Sequence, residues 1–242
     1  MKIFRYEITD STNTRAREYA KSERPELPAV FIADGQTSGR GRRGRSFDSE
    51  SGAGLYISIL FKPCGAARDA VKITLRAAVS LCRALRSACG LSAEIKWVND
   101  LLVGGKKLAG ILTEGEIDSN GNLEYAVCGI GVNLNSRKFP PELSDIVTTV
   151  EDNTGKRPDR EELTEALLSE FFGEADDREM IEEYRSLSAV TGKRVEVRKL
   201  TGETFYARAL EITDGGELVV EREDGSLESL ISAEVSLKLE SL

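Results

Sequence analysis

The chain of 242 residues contains no histidine. This removes the Ser-His and Cys-His pairs that activate many catalytic nucleophiles, and it removes a common zinc ligand. Cysteine is sparse too: Cys64, Cys82, Cys89 and Cys128, with no C-x-x-C pair. No protein-bound metal is expected, and Cys82 and Cys89, which fall in a helical pattern, read as core residues. The opening MKIFRYEITD lacks an apolar signal-like run, and no segment approaches membrane-spanning length. The expectation is a cytoplasmic protein with reduced thiols and no membrane partner. Basic residues are outnumbered 33 to 41, for a net charge of −8. That balance disfavours nucleic acid as a general partner. What remains, 40% hydrophobic and 31% charged, is ordinary globular composition able to form a core.

Against this acidic background, arginines crowd into GRGRRGR at residues 39–45. The first six letters fit the dinucleotide fingerprint G-x-G-x-x-G. That fingerprint needs a strand before it and a helix opening on its glycines. AVFIA at 29–33 reads as the strand, but residues 45–54 are polar and glycine-rich, and the alternating LYISILFK follows them. With no helix to receive a pyrophosphate, the dinucleotide reading fails. Forked guanidinium donors on a glycine backbone still suit phosphate. A solvated basic loop is the plain alternative.

KIFRYEI alternates as a strand, and the N-capping residues Asp10 to Asn13 introduce the helical TRAREYAKS. Residues 66–89 form the longest helical run, with Val71, Leu75, Ala78, Val79, Cys82 and Leu85 near one face and Gly90 beyond its end. AEIKWVND reads as a strand with Lys96, Val98 and Asp100 on one face and Trp97 and Asn99 on the other. A hairpin turning at Gly104-Gly105 follows, then the strand LEYAVCGIGVNL. From Asp159 come one or two acidic amphipathic helices, with Leu163, Leu167, Phe171 and Phe172 as the buried face. After about Thr191, short strands divided by Thr-Gly and Asp-Gly turns suggest a compact barrel of SH3-like size. The expected layout is an α+β domain at 1–188, with a mixed or antiparallel sheet, and a small β domain at 189–242.

Four stretches stand out: DSTN at 10–13, GQTSGRGRRGRSF at 35–47, KWVND with KKLAGIL at 96–112, and GIGVN at 129–133. Each alone has a bland reading as a helix cap, a solvated loop, a strand end or a close-packed strand. In this order and spacing, from about residue 3 to 240, they resemble the biotin–protein ligases. GRGRRGR and KLAGIL are intact. The family usually has tryptophan at or just before Phe47, and proline where this chain has Val98; neither change removes a chemical group.

The resemblance implies the biotin/lipoate ligase fold, similar to class II aminoacyl-tRNA synthetases, with a C-terminal SH3-like domain. It implies two steps: biotin and ATP give biotinyl-5′-AMP and pyrophosphate, and the biotinyl group then passes to a lysine of a biotin carboxyl carrier domain. By similarity, Ser11, Thr12, Asn13, Gln36, Gly39 and Arg40 would hold biotin, with Gly110 and Gly131 leaving room for its rings and chain. Arg42, Arg43, Arg45, Phe47, Lys96, Trp97, Asn99, Lys107 and Asn133 would line the ATP and adenylate site. Lys107 and Arg42 would act on the carboxylate and phosphates, and Asp100 would orient the acceptor amine. Magnesium would arrive on ATP. Family members of this shorter type are often homodimers, and no DNA-binding repressor segment is expected before Tyr6. A lipoate–protein ligase is the nearest rival reading, and a non-catalytic nucleic-acid or ligand-binding module is a rival of another class.

Overall fold

The structure is a computed structural model that describes residues 1–63 and 70–237. β1 (Lys2–Thr9), α1 (Thr12–Ala20), β2 (Ala29–Gln36) and β3 (Gly54–Phe61) lead to α2, described over Ala70–Cys89. β4 (Glu94–Lys96), β5 (Asp100–Val103), β6 (Lys106–Ile117) and β7 (Leu123–Asn133) follow. These strands form one sheet in the order β1-β2-β3-β7-β6-β5-β4, parallel between β1 and β2 and antiparallel elsewhere. Gly104 and Gly105 turn β5 into β6 with φ of 57° and 77°, values a two-residue hairpin turn requires.

Alternation along the strands separates two faces. Val30 and Ile32 of β2, Leu55, Ile57 and Ile59 of β3, and Cys128, Ile130 and Val132 of β7 enter the main core with α2. Leu75, Leu81 and Leu85 of that helix are fully buried, each stabilising the fold by about 1.5–3 kcal/mol relative to exposure. The intervening positions, among them Tyr56, Ser58, Gly129 and Gly131, belong to the opposite face. At one end of that face α1 packs, with Ala16 joining Phe31 and Leu60 in a second cluster. The rest of it carries the site.

α3 (Pro141–Ser144) and α4 (Val150–Thr154) occupy the irregular region after β7. The acidic stretch then forms two helices, α5 (Arg160–Phe172) and α6 (Asp177–Ser186). The Asp159 and Asp176 carboxylates cap them by accepting backbone N–H bonds. Leu163, Leu167 and Phe171 are buried as expected, but Phe172 is 41% exposed and Leu168 takes the inward place. One hundred degrees per residue turns Phe172 away from the core once Phe171 faces it. The expected helical residues 66–69 lie outside the described residues.

β8 (Arg194–Lys199), β9 (Thr204–Ile212), β10 (Leu218–Arg222), β11 (Leu227–Leu230) and β12 (Ala233–Leu237) form a five-stranded antiparallel sheet ordered β11-β10-β9-β8-β12. Its interior, including Val195, Val197, Ala209 and Val220, is continuous with the main core. Arg185 reaches from α6 to the Ile212 carbonyl at 2.6 Å and Asp214 at 2.7 Å.

One expected element takes a different form. Lys96 ends β4 and Asp100 starts β5, so 97–99 is a turn, with a cis Trp97–Val98 peptide. Strand alternation therefore does not sort these side chains. The Trp97 indole is buried and donates to the Gly216 carbonyl at 3.0 Å, while buried Tyr184 donates to the Val98 carbonyl at 3.1 Å. The turn is thus clamped between α6 and the small β domain.

Candidate active site

The site lies where α1, β2, β6 and β7 meet beneath the arginine loop. Ser11 is the N-cap of α1 but makes no side-chain capping bond, so the helix start does not consume its hydroxyl. The Thr12 N–H donates to Gln36 Oε1 at 2.8 Å, and Gln36 Nε2 donates to Ser49 Oγ at 2.8 Å. Ser49 in turn donates to the Phe47 carbonyl at 2.9 Å, tying the loop's return leg to β2. Asn13 Nδ2 donates to Glu114 at 3.0 Å and to the Leu112 carbonyl at 3.3 Å. Glu114 also pairs with Arg40 at 2.9 Å.

Two glycines of β7 make this packing possible. A Cβ on Gly129 would stand 2.0 Å from Asn13 Oδ1, and one on Gly131 would stand 2.6 Å from the Phe47 ring. The first glycine leaves room for the protein's own asparagine. The second leaves room for the Phe47 ring, and Gly110, opposite it on β6, leaves room for the end of the Lys107 side chain, 3.2 Å from a Cβ there.

Lys107 Nζ stands 2.7 Å from Asp100 Oδ1 across the β5–β6 pair. The approach is a charge contact and not a well-directed hydrogen bond, because that buried oxygen has no properly oriented donor. Lys107 is further fixed through its backbone, donating to Ile146 O at 2.8 Å and accepting from Thr148 N at 2.9 Å. Asn99 Nδ2 donates to Ile111 O at 2.9 Å, and Asn99 Oδ1 accepts from Arg42 at 3.0 Å. Arg42 also donates to Ser232 of the small domain at 3.1 Å. Burial, reinforced by Arg43, lowers the Arg42 pKa, so its charge would gain from an anion. Arg43 donates to the Arg198 carbonyl at 3.3 Å, and Arg45 pairs with Glu234. That pairing holds the Glu234 carboxyl below its usual range.

These groups line two cavities. One, of about 50 Å³, is bounded by Ser11, Thr12, Asn13, Gln36, Arg40, Gly110 and Gly131. The other, of about 120 Å³, is bounded by Arg43, Arg45, Lys96, Trp97, Asp100 and Glu234. Gly41, Arg42, Phe47, Asn99 and Lys107 line both. A larger opening of about 210 Å³ lies toward α2; it shares Arg42, Asn99, Ile111 and Leu112 with the smaller cavity and lacks the pair's cluster of cations. Two expected residues line neither cavity. Gly39 is needed where the loop crosses Phe47 O and Ser49 Oγ, 2.3 and 2.4 Å from a Cβ, and Asn133 pairs with Gly54 at the end of β7. Among the described residues no three His, Cys, Asp or Glu side chains converge as a metal site, and no helix is long and apolar enough to cross a membrane.

The Biotin/lipoate A/B protein ligase family model matches residues 6–133, and the biotin protein ligase C-terminal domain model matches 190–238. The chain is 34% identical over 241 residues to the bifunctional ligase/repressor BirA of Bacillus spizizenii, covering 96% of this chain and 72% of that protein. The chain belongs to the biotin protein ligase family. It is also 38% identical over 170 residues to the biotin–[acetyl-CoA-carboxylase] ligase of Paracoccus denitrificans, covering 67% of this chain and 68% of that one. Among solved structures, the biotin protein ligase of Aquifex aeolicus in complex with biotin and ATP superposes with a TM-score of 0.81 at 26% identity, covering 98% of each chain.

Sequence reasoning about this biotin protein ligase family member did not single out Ser58, Ser49, Glu114, Ser232 or Glu234. Ser58 had a signal, being the lone polar residue inside LYISILF. Glu114 had one too, since it shares a face of β6 with Gly110 and Leu112. Ser232 and Glu234 had none, because their contacts cross between the two sheets.

Proposed function

We propose that this chain joins biotin to ATP and passes the biotinyl group to a lysine of a biotin carboxyl carrier domain. The observation that carries this reading is the pair of cavities meeting at Lys107, Arg42, Asn99 and Phe47. One has a polar hydrogen-bonding floor suited to the ureido head, and the other is cationic and suits a nucleotide. The biotin carboxylate, at the junction, attacks the α-phosphorus; the bond to the β-phosphate oxygen breaks and pyrophosphate leaves. Lys107 and Arg42 neutralise charge that grows on the α-phosphoryl oxygens. Neither step needs an imidazole. Magnesium enters with ATP, held chiefly by phosphate oxygens and water.

In the second step the acceptor amine attacks the acyl carbon and AMP leaves. Asp100, beside Lys107, orients that amine and favours loss of its proton. Acyl-adenylates hydrolyse readily, so water must be kept out. The cavity of about 50 Å³ is far smaller than ligand pockets of roughly 300 Å³ and above. Phe47 and the arginine loop must therefore lift to admit biotin and close again over the adenylate. Trypsin is expected to cut among the loop arginines without ligands and to be blocked by biotin with ATP.

Exchange of labelled pyrophosphate into ATP tests the first step. Biotin is expected to support it, and lipoate and octanoate are not. No exchange with biotin, or exchange with lipoate alone, overturns the assignment.

A further inference from the structure

Ser58 sits at the centre of β3, fully buried beneath α1. Its Oγ lies 2.7 Å from Thr12 Oγ1 and 2.6 Å from Asn13 Oδ1, and Thr12 Oγ1 lies 3.2 Å from Gln36 Oε1. These are three oxygen–oxygen contacts with only two hydroxyl protons to share, one from Ser58 and one from Thr12. One contact must lack a proton.

The surroundings decide which. Asn13 cannot turn its amide over, because Nδ2 faces the Leu112 carbonyl and the Glu114 carboxylate, which only accept. Asn13 Oδ1 therefore points at Ser58 and needs its proton. Gln36 is fixed likewise, since Oε1 receives the Thr12 N–H. Leaving the 2.6 Å or the 2.7 Å contact bare would press two oxygen lone pairs together in a buried place. The 3.2 Å contact is the one without a proton. Ser58 donates to Asn13, and Thr12 donates to Ser58.

We infer that Ser58 and Asn13 are positioning residues that turn the Thr12 hydroxyl into an acceptor, so that it and Gln36 Oε1 offer paired lone pairs to an N–H donor on the ligand. The inference rests on the biotin reading and deepens it, because a cyclic urea carries N–H groups on its ring and a dithiolane carries none. Selection would then come from polarity as well as shape: a site built to receive an N–H rejects an analogue of the same size that lacks it.

The test compares kcat/KM in pyrophosphate exchange for biotin and for its cyclic carbamate analogue, in which oxygen replaces one ureido N–H, made at each nitrogen position in turn. The unaltered protein is expected to prefer biotin strongly over at least one carbamate. Ser58→Ala frees the Thr12 hydroxyl to donate, so it is expected to narrow that preference by about tenfold or more. An equal loss for both substrates means a purely structural Ser58 and overturns the inference, while biotin-dependent exchange by the unaltered protein still upholds the proposed function. Neutron diffraction of the unaltered protein keeps the inference falsifiable if the variant does not fold. A deuteron on Thr12 directed at Ser58 is expected, and one directed at Gln36 contradicts it.

Discussion

The two cavities share five residues and differ in how their polar groups are held. In the smaller one, the hydrogen-bonding groups are satisfied by short-range scaffold contacts: Gln36 by the Thr12 amide and Ser49, Asn13 by Leu112 O and Glu114. Thr12, Asn13 and Ser58 are all buried. In the larger one, cations are held by groups that an anionic ligand would displace: Arg45 by Glu234, Arg43 by a carbonyl of β8, Lys107 by Asp100. The contrast has a physical cause. Neutral groups can be locked in place beforehand at little cost, whereas crowded, partly exposed cations need a counter-charge before the ligand arrives. The small cavity is a finished template, and the large one is a set of provisional ion pairs.

Lys107→Ala, at the junction, gives the largest expected effect. Exchange should fall by about 10²–10³-fold, the scale seen when one charge-stabilising donor is removed. Binding of biotinol, which keeps the ureido head and lacks the carboxylate, should hardly change by calorimetry. A parallel loss of biotinol binding would mean that the cavities are not separable. Gly129→Ala attacks the template instead, through the Cβ clash with Asn13. We predict biotinol affinity lower by about 1–3 kcal/mol, the cost of disrupting a buried polar group, with ATP affinity preserved.

Glu234→Gln sharpens the other side. Amides of residues 40–47 should exchange hydrogen faster, and ATP affinity should move by less than about tenfold, since the pair is partly exposed. The pH dependence has a definite sign. Glu234 has a lowered pKa because Arg45 donates to it. Its contribution is complete above the ordinary value of 4.5 and is lost as pH falls through the lowered one. Loop protection in the unaltered protein should therefore decline only below the ordinary carboxylate range, and a decline already near neutral pH would count against this latch. The smallest expected effect is Trp97→Phe. It removes the indole bond to Gly216, worth about 0.5–1.5 kcal/mol of stability. The KM for ATP should rise while that for biotin stays level.

Much of this was legible in the sequence, and unevenly so. The hairpin at Gly104-Gly105 and the small β strands were readable because period-two patterns end in turn residues. Ser11, Thr12, Gln36, Arg42 and Lys107 were readable as a constellation because their motifs recur in a known order. What failed was reasoning from local period alone. KWVND alternates on paper, but its middle is a turn held by Tyr184 and Gly216, 86 and 119 residues from the carbonyl and indole they bind. Phe172 follows the helical pattern but lies one step past the buried stripe. Ser232 and Glu234 reach the site only through tertiary pairing, which periodicity does not encode.

The difference between template and ion-pair cavity is tested most directly by salt. Dissociation constants for biotinol and for a non-hydrolysable ATP analogue would be measured separately on the unaltered protein across a range of ionic strength. Screening weakens contacts between exposed charges and leaves buried neutral hydrogen bonds nearly untouched. Biotinol should give a flat line and the nucleotide a steep loss. Equal slopes, or a steeper one for biotinol, would contradict that difference.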